Sequence, residues 1–119
     1  MEDKTLTMSL LYDFFGDLLT DKQREYFHLY YNEDLSLSEI AQTAGISRQG
    51  VRDILVRAEN QLTEMEEKTG IVRRFTRTQE DLAALEKAAS SIASAVTLEE
   101  AHRQAHILCE LIAKLKSDE

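Results

Sequence analysis

Two groups of side chains have types and spacings that could do chemistry. The first is His102, His106 and Cys109, at i, i+4 and i+7, with Glu99 and Glu110 beside them. On a helix they share one face and could offer a metal two or three ligands. No second paired-ligand stretch accompanies them, and both histidines fall on the rim between polar and apolar faces, where a solvated imidazole is the ordinary outcome. No metal site is assigned. The second group is Ser47, Arg48, Gln49, Gly50, Arg52 and Asp53, with Arg57 further on. On a helix lying in a major groove, arginine suits guanine or phosphate and glutamine suits adenine. A further basic stretch, Ile71 to Arg77, holds Arg73, Arg74 and Arg77 without an acid.

Catalytic chemistry finds no comparable support. There is no glycine-rich phosphate loop, no serine elbow, and no Cys-His pairing with a third orienting group. The carboxylates are scattered along solvent faces, so neither enzymatic activity nor a cofactor is expected. Tyr26, Phe27, Tyr30 and Tyr31 could stack on single-stranded bases, but their helical spacing suits a core better.

To bring Ser47, Arg48, Gln49 and Arg52 to base edges, with Arg57 nearer the backbone, two short helices must cross steeply. The stretch LSEIAQTAGISRQGVRDIL, Leu37 to Leu55, has the residue types for this. Ala41 is small where the helices approach, and Gly45 can take the left-handed conformation of the turn. Ile40, Ile46, Val51 and Ile54 are the apolar contacts that hold the angle. Gly50 is anomalous, because glycine inside a helix costs about 1 kcal/mol relative to alanine. It either permits close approach of a backbone or marks a reading face no longer used for bases.

The remaining elements are helices. Met8, Leu11, Tyr12, Phe15, Leu18 and Leu19 predict a helix near Thr7 to Leu19. Thr20 with Gln23 and Ser36 with Glu39 are capping boxes that open the next two helices. Ser47 caps a helix striped by Val51, Ile54, Leu55, Ala58, Leu62 and Met65, ending at Gly70 with Ile71 folding back as its apolar contact. Thr78 then caps a helix striped by Leu82, Leu85, Ala89, Ile92 and Val96. Thr97 with Glu100 opens the last one, whose stripe is Leu98, Ala101, Ala105, Leu108, Ile112 and Leu115. Ile107 and Leu111 lie off that stripe and widen the apolar arc beyond one contact face. A two-helix hairpin cannot bury it alone: either the hairpin packs on the front domain or, the reading preferred here, a second copy of the chain covers it.

Composition agrees with an all-α fold: among 119 residues there is no proline, and only four are glycine. No apolar run reaches the roughly 20 residues that span a bilayer, and the start MEDKTLT lacks the features of a secretory signal. With a single cysteine, these readings place the chain in the cytoplasm. The net charge of -8 counts against strong non-specific DNA binding. The organisation expected is a helix-turn-helix domain at 1–70, with its motif at about 37–57, and a two-helix hairpin at 71–119 as a dimerisation element.

The stretch LTDKQREYFHLYYNEDLSLSEIAQTAGISRQGVRDILVRAENQL, Leu19 to Leu62, closely resembles region 4 of bacterial sigma factors, which reads the promoter's upstream hexamer. The regions that would bind polymerase are lacking, and Gly50 stands where sigma factors carry a larger side chain. The whole chain resembles a narrower group, the YlxM family of small helix-turn-helix proteins of Gram-positive bacteria. MSLLYDFFGDLLTDKQREYFHLYYNEDLSLSEIA, GVRD and GIVRRF carry that match. The resemblance implies a regulatory or accessory role in the signal recognition particle pathway. Two functions follow as expectations: a homodimeric DNA-binding regulator that also grips the flanking backbone with Arg73, Arg74 and Arg77, or an accessory module that binds the particle's RNA or GTPase.

Overall fold

The computed structural model describes residues 2–117 and is all-α. Its elements are α1 (Glu2–Phe15), a 3-10 turn (Gly16–Leu18), α2 (Asp21–Tyr31), α3 (Leu37–Ala44), α4 (Arg48–Thr69), α5 (Ile71–Ala93) and α6 (Leu98–Ser117). The chain divides into two compact units, Met1–Val72 and Arg73–Glu119. None of the described helices is long and apolar enough to cross a membrane.

Local chemistry sets the helix starts of the front unit. At Thr20, Oγ1 accepts the Gln23 N–H at 3.2 Å while Gln23 Oε1 accepts the Thr20 N–H at 2.9 Å. Ser36 and Glu39 repeat the arrangement at 3.1 and 2.9 Å, so two otherwise orphaned amides are satisfied at each start. Hydrogen bonding of the carboxyl to Ser36, through the backbone N–H first and the side chain second, holds Glu39 below its ordinary pKa. Between α2 and α3 the chain turns at Asp34, whose φ of 59° is left-handed, a conformation that short Asp side chains tolerate.

Helix α4 is the centre of the front unit and packs against α1, α2 and α3. Its Val51, Leu55, Ala58 and Leu62 recur at four, three and four and are buried, which aligns them along one face. They meet Leu11 and Phe15 of α1, Tyr26 and Phe27 of α2, and Ile40 and Ala41 of α3 in one apolar cluster. Phe27 stacks on Tyr12 with centroids 4.7 Å apart and also touches Tyr31 at 4.5 Å. The Tyr31 hydroxyl donates to Glu59 of α4 at 2.5 Å. Burial first, and that bond second, push the Tyr31 phenol well above its ordinary pKa. The aromatic cluster is therefore mostly core: Tyr26 and Phe27 are buried, Tyr31 is half-buried, and Tyr30 lies at the surface.

Several expected details are corrected. Helix α1 begins at Glu2 rather than near Thr7, and it stops at Phe15, where the chain tightens into the 3-10 turn and leaves Leu18 exposed. Gly70 does end α4 in the left-handed region, with φ 64°. The residue that folds back, however, is Val72, buried in the front core, while Ile71 stays 39% exposed. The Val72 N–H donates to Glu66 Oε1 at 2.8 Å, which anchors this turn. Thr78 caps nothing, because α5 runs unbroken from Ile71. No glycine or proline interrupts that stretch, so nothing stops the helix between Ile71 and Thr78 and leaves Thr78 a helix start to cap.

The second unit holds most of α5 and all of α6, joined through residues 94–97. Thr97 Oγ1 accepts the Glu100 N–H at 3.1 Å and opens α6. On α5, Ala88 is buried and Ala84, Leu85, Ser91 and Ile92 are half-buried; on α6, Ala101, Gln104, Ala105, Leu108, Leu111 and Leu115 are half-buried. This is rotated from the expected stripes. Leu82, Val96, Leu98 and Ile112 are exposed, and Leu111, expected off the stripe, is on it.

Candidate nucleic-acid interface

Three residues connect α3 to α4, and each has a distinct task. Gly45 ends α3 at φ 73° and ψ 27°, and its N–H bonds to the Ala41 carbonyl at 2.9 Å. Ile46 also donates to Ala41 O, at 3.3 Å, which closes the helix end. Ser47 returns to extended backbone and caps α4, its Oγ accepting the Gly50 N–H at 2.9 Å. Ile40 and Val51, one on each helix, are fully buried, and Ala41 is 7% exposed, so two short helices are held together at small and branched side chains. Ile54 is partly buried, whereas Ile46 is 40% exposed and does only part of the bracing expected of it.

From this brace the start of α4 emerges into solvent. Ser47, Arg48, Gln49, Arg52, Asp53 and Arg57 are all exposed. Arg48 and Arg52, four residues apart, share one side of the helix, and Gln49 and Asp53 share the adjoining side. Gln49 Nε2 donates to Asp53 Oδ1 at 2.9 Å, so this glutamine is held by its own helix. Its partner is a feature that sequence reasoning did not draw out, although the i, i+4 spacing contained it. Arg57 lies nine residues beyond Arg48, which at 3.6 residues per turn places it about 180° around the helix. It does not join the Arg48 and Arg52 side.

Gly50 has close neighbours within its own chain. It is only half exposed, and a Cβ there would lie 3.1 Å from Ser47 Oγ and 3.6 Å from Ile46 Cδ1. The first distance is tight and the second an ordinary contact, and Gln23 and Glu39 carry side chains at the same position behind their own capping hydroxyls.

Charge is distributed unevenly at two scales. The front unit holds seven Lys and Arg against fourteen Asp and Glu, a net of -7. Four of those seven cations already face acids: Lys4 with Glu59, Lys22 with Glu25, Arg24 with Asp17 and Asp21, and Lys68 with Glu64. The other three are Arg48, Arg52 and Arg57, for which there is no ion pair among the described residues. The first turn of α4 also contains no acid. The positive potential of the amide ends at a helix N-terminus is therefore reinforced here rather than cancelled.

Arg73, Arg74 and Arg77 are exposed on the first turns of α5, within the second unit, rather than on α4. His106 Nε2 lies 2.8 Å from Glu110 Oε1, and no three His, Cys, Asp or Glu side chains among the described residues are grouped to hold a metal ion.

The model of the UPF0122 family, YlxM / p13-like helix-turn-helix proteins, matches residues 2–104. The chain belongs to this family. A UPF0122 protein of Thermoanaerobacter sp. (strain X514) is 60% identical over 74 residues, covering 62% of this chain and 63% of the relative. One from Halalkalibacterium halodurans is 45% identical over 98 residues, covering 82% of this chain and 90% of its own length. A third, from Caldanaerobacter subterraneus subsp. tengcongensis, is 55% identical over 87 residues, covering 73% and 72%. The match thus spans slightly under two thirds of the Thermoanaerobacter relative.

Proposed function

We propose that this protein is a DNA-binding regulator that inserts the first turns of α4 into the major groove of duplex DNA. Arg48 and Arg52 meet guanine edges or phosphates, Gln49 competes with Asp53 for an adenine edge, and Ser47 holds the helix end that faces the backbone. Arg57, on the far side of α4, suits the opposite phosphate wall rather than a base. Arg73, Arg74 and Arg77 are phosphate contacts contributed by the second unit. One observation carries this reading: of the seven cations in the front unit, those without an acidic partner among the described residues are Arg48, Arg52 and Arg57, all on α4. We place this activity in the cytoplasm and, on the family resemblance, in the signal recognition particle pathway.

The test is a genomic DNA selection with purified protein, followed by Arg48→Ala and Arg52→Ala on the enriched duplex. Both substitutions should weaken binding; unchanged affinity in both, with binding retained, would show the groove geometry to be wrong. A second reading is favoured by the front unit's net charge of -7 and by the Gln49–Asp53 bond, both unhelpful to base readout. In it the motif is a scaffold, and the protein is an accessory module for the particle's RNA or GTPase. Pull-down of those components beside the DNA selection separates the two, since one enriched DNA motif with no particle component retained eliminates the module.

A further inference from the structure

Far from the exposed turn at Ser47, the front unit carries an open groove between the end of α1 and the second half of α4. Phe15, Leu19 and Leu62 line it and are core residues, each 6% exposed or less, so they form its floor. Leu18 differs: where α1 stops and the 3-10 turn begins, its side chain is left at the groove 59% exposed. Met65 of α4, half-buried, is the other apolar side chain within reach of an occupant. Gln61 also lines the groove and accepts a hydrogen bond from Gln23 Nε2 at 2.6 Å, which ties α2 to α4 there. Glu64 and Lys68, paired at 2.8 Å along α4, supply a polar edge on which the lysine is already neutralised. From Gln61 to Lys68 the groove follows two turns of α4, about 10 Å of helix.

Size and charge say what fits. The groove encloses about 190 Å³, below the roughly 300–1,000 Å³ of small-molecule pockets, and suits one or two apolar side chains of a larger partner. No strand occurs among the described residues, so there is no sheet edge for a partner to extend, and the recognition mode that remains is a helix laid along the groove. Segment 13–25, which carries the turn, has Asp13, Asp17, Asp21 and Glu25 against Lys22 and Arg24, a net of -2. Segment 61–69 has Glu64, Glu66 and Glu67 against Lys68, again a net of -2. These two segments hold four of the front unit's seven net negative charges. The first half of α4 is opposite in sign, with Arg48, Arg52 and Arg57 against Asp53.

We propose that this groove docks an amphipathic helix of a partner protein whose polar face is basic, its aliphatic side chains seated on Leu18 and Met65. Arg52 and Gln61 are nine residues apart, about 14 Å along α4, so the two ends of one helix serve ligands of opposite charge. The docking site goes beyond either reading of the α4 arginines and depends on neither.

The experiment is fluorescence anisotropy of the full chain with a labelled leucine–lysine peptide of about 14 residues, its leucines spaced to line one helix face. A leucine–glutamate peptide of the same spacing is the comparison. The basic peptide should bind with Kd on the order of 10 µM and more weakly as salt is raised, and the acidic one should not bind. Leu18→Lys should weaken binding of the basic peptide about tenfold, by removing an apolar contact and opposing its charge. Leu6→Lys alters the net charge equally at a leucine of α1 that is 68% exposed and does not line the groove, and it should leave affinity unchanged. Both leucines are more than half exposed, so neither substitution disturbs the core. Absence of binding by the basic peptide overturns the proposal, including the case in which another segment of this chain or a second copy already fills the groove. Equal binding of the acidic peptide overturns the partner's chemistry, and equal weakening by Leu6→Lys overturns the groove. Arg48→Ala should not alter peptide affinity, so failure of the DNA reading is distinguishable from failure of this one.

Discussion

Replacing Gly45 by alanine isolates the backbone requirement of the turn from every other property of the motif. A Cβ at Gly45 meets no atom within 4 Å, so the substitution introduces no clash, and its cost is that of holding an L-residue at φ 73°. That cost is about 1–2 kcal/mol in the left-handed region. Alanine also narrows the unfolded ensemble, which returns about 0.4–1 kcal/mol. The net expectation is a loss of about 1 kcal/mol in Gly45→Ala, with Gly45→Asn closer to wild type because asparagine visits this region more readily. The assay is urea unfolding followed by tyrosine fluorescence. All four tyrosines, Tyr12, Tyr26, Tyr30 and Tyr31, lie in the front unit and there is no tryptophan, so the signal reports that unit alone. A stabilised Gly45→Ala protein, or a loss above about 3 kcal/mol, would refute the reasoning, because the first denies the backbone requirement and the second demands a collision.

Ser47→Ala should cost about 1 kcal/mol by freeing the Gly50 amide, and should reduce DNA affinity by fraying the first turn of α4; unchanged urea midpoints would show that the cap is dispensable. On the selected duplex, an arginine of the pair Arg48 and Arg52 that meets phosphate should lower the salt slope by about 1 when replaced by alanine, while one that meets guanine should cost about 1–3 kcal/mol at a single position of the site. Tyr31→Phe should destabilise the front unit by about 1–2 kcal/mol, because the half-buried Glu59 loses its hydroxyl donor. The Tyr31 phenol has a raised pKa when folded, so its stabilising contribution is complete below the ordinary value of 10.0 and fades as pH rises above it. Spectroscopic titration should lose its high-pH tyrosine component in Tyr31→Phe; an unchanged titration curve would contradict the placement of Tyr31.

Much of the motif was legible because its signals are local. Thr20 with Gln23 and Ser36 with Glu39 each need a hydroxyl and an acid or amide three residues apart, and both boxes form as written. Gly45 was legible because the turn needs a conformation that few residues adopt cheaply. The phase of α5 and α6 was not, since a stripe of Leu82, Leu85, Ala89 and Ile92 records the average direction of burial and cannot say how many neighbours share it. In the structure Leu85 and Ile92 are half-buried while Leu82 and Ala89 of the same stripe are exposed. Thr78 failed for a related reason: a cap residue acts only where the helix before it ends. Gly50 could not be understood from composition, because its surroundings depend on where Ser47 Oγ and Ile46 Cδ1 come to rest.

The bond between Gln49 and Asp53 bears on how such a protein would search. An amide already satisfied within its own helix gains little from an arbitrary base, and the carboxylate beside it repels any passing phosphate. Encounters with unrelated duplex would then end quickly, while a site whose adenine lies in register could draw the glutamine away from its partner. Asp53→Asn should therefore lengthen residence on random DNA more than on the selected site, and a protein with this acid in place would favour discrimination over grip.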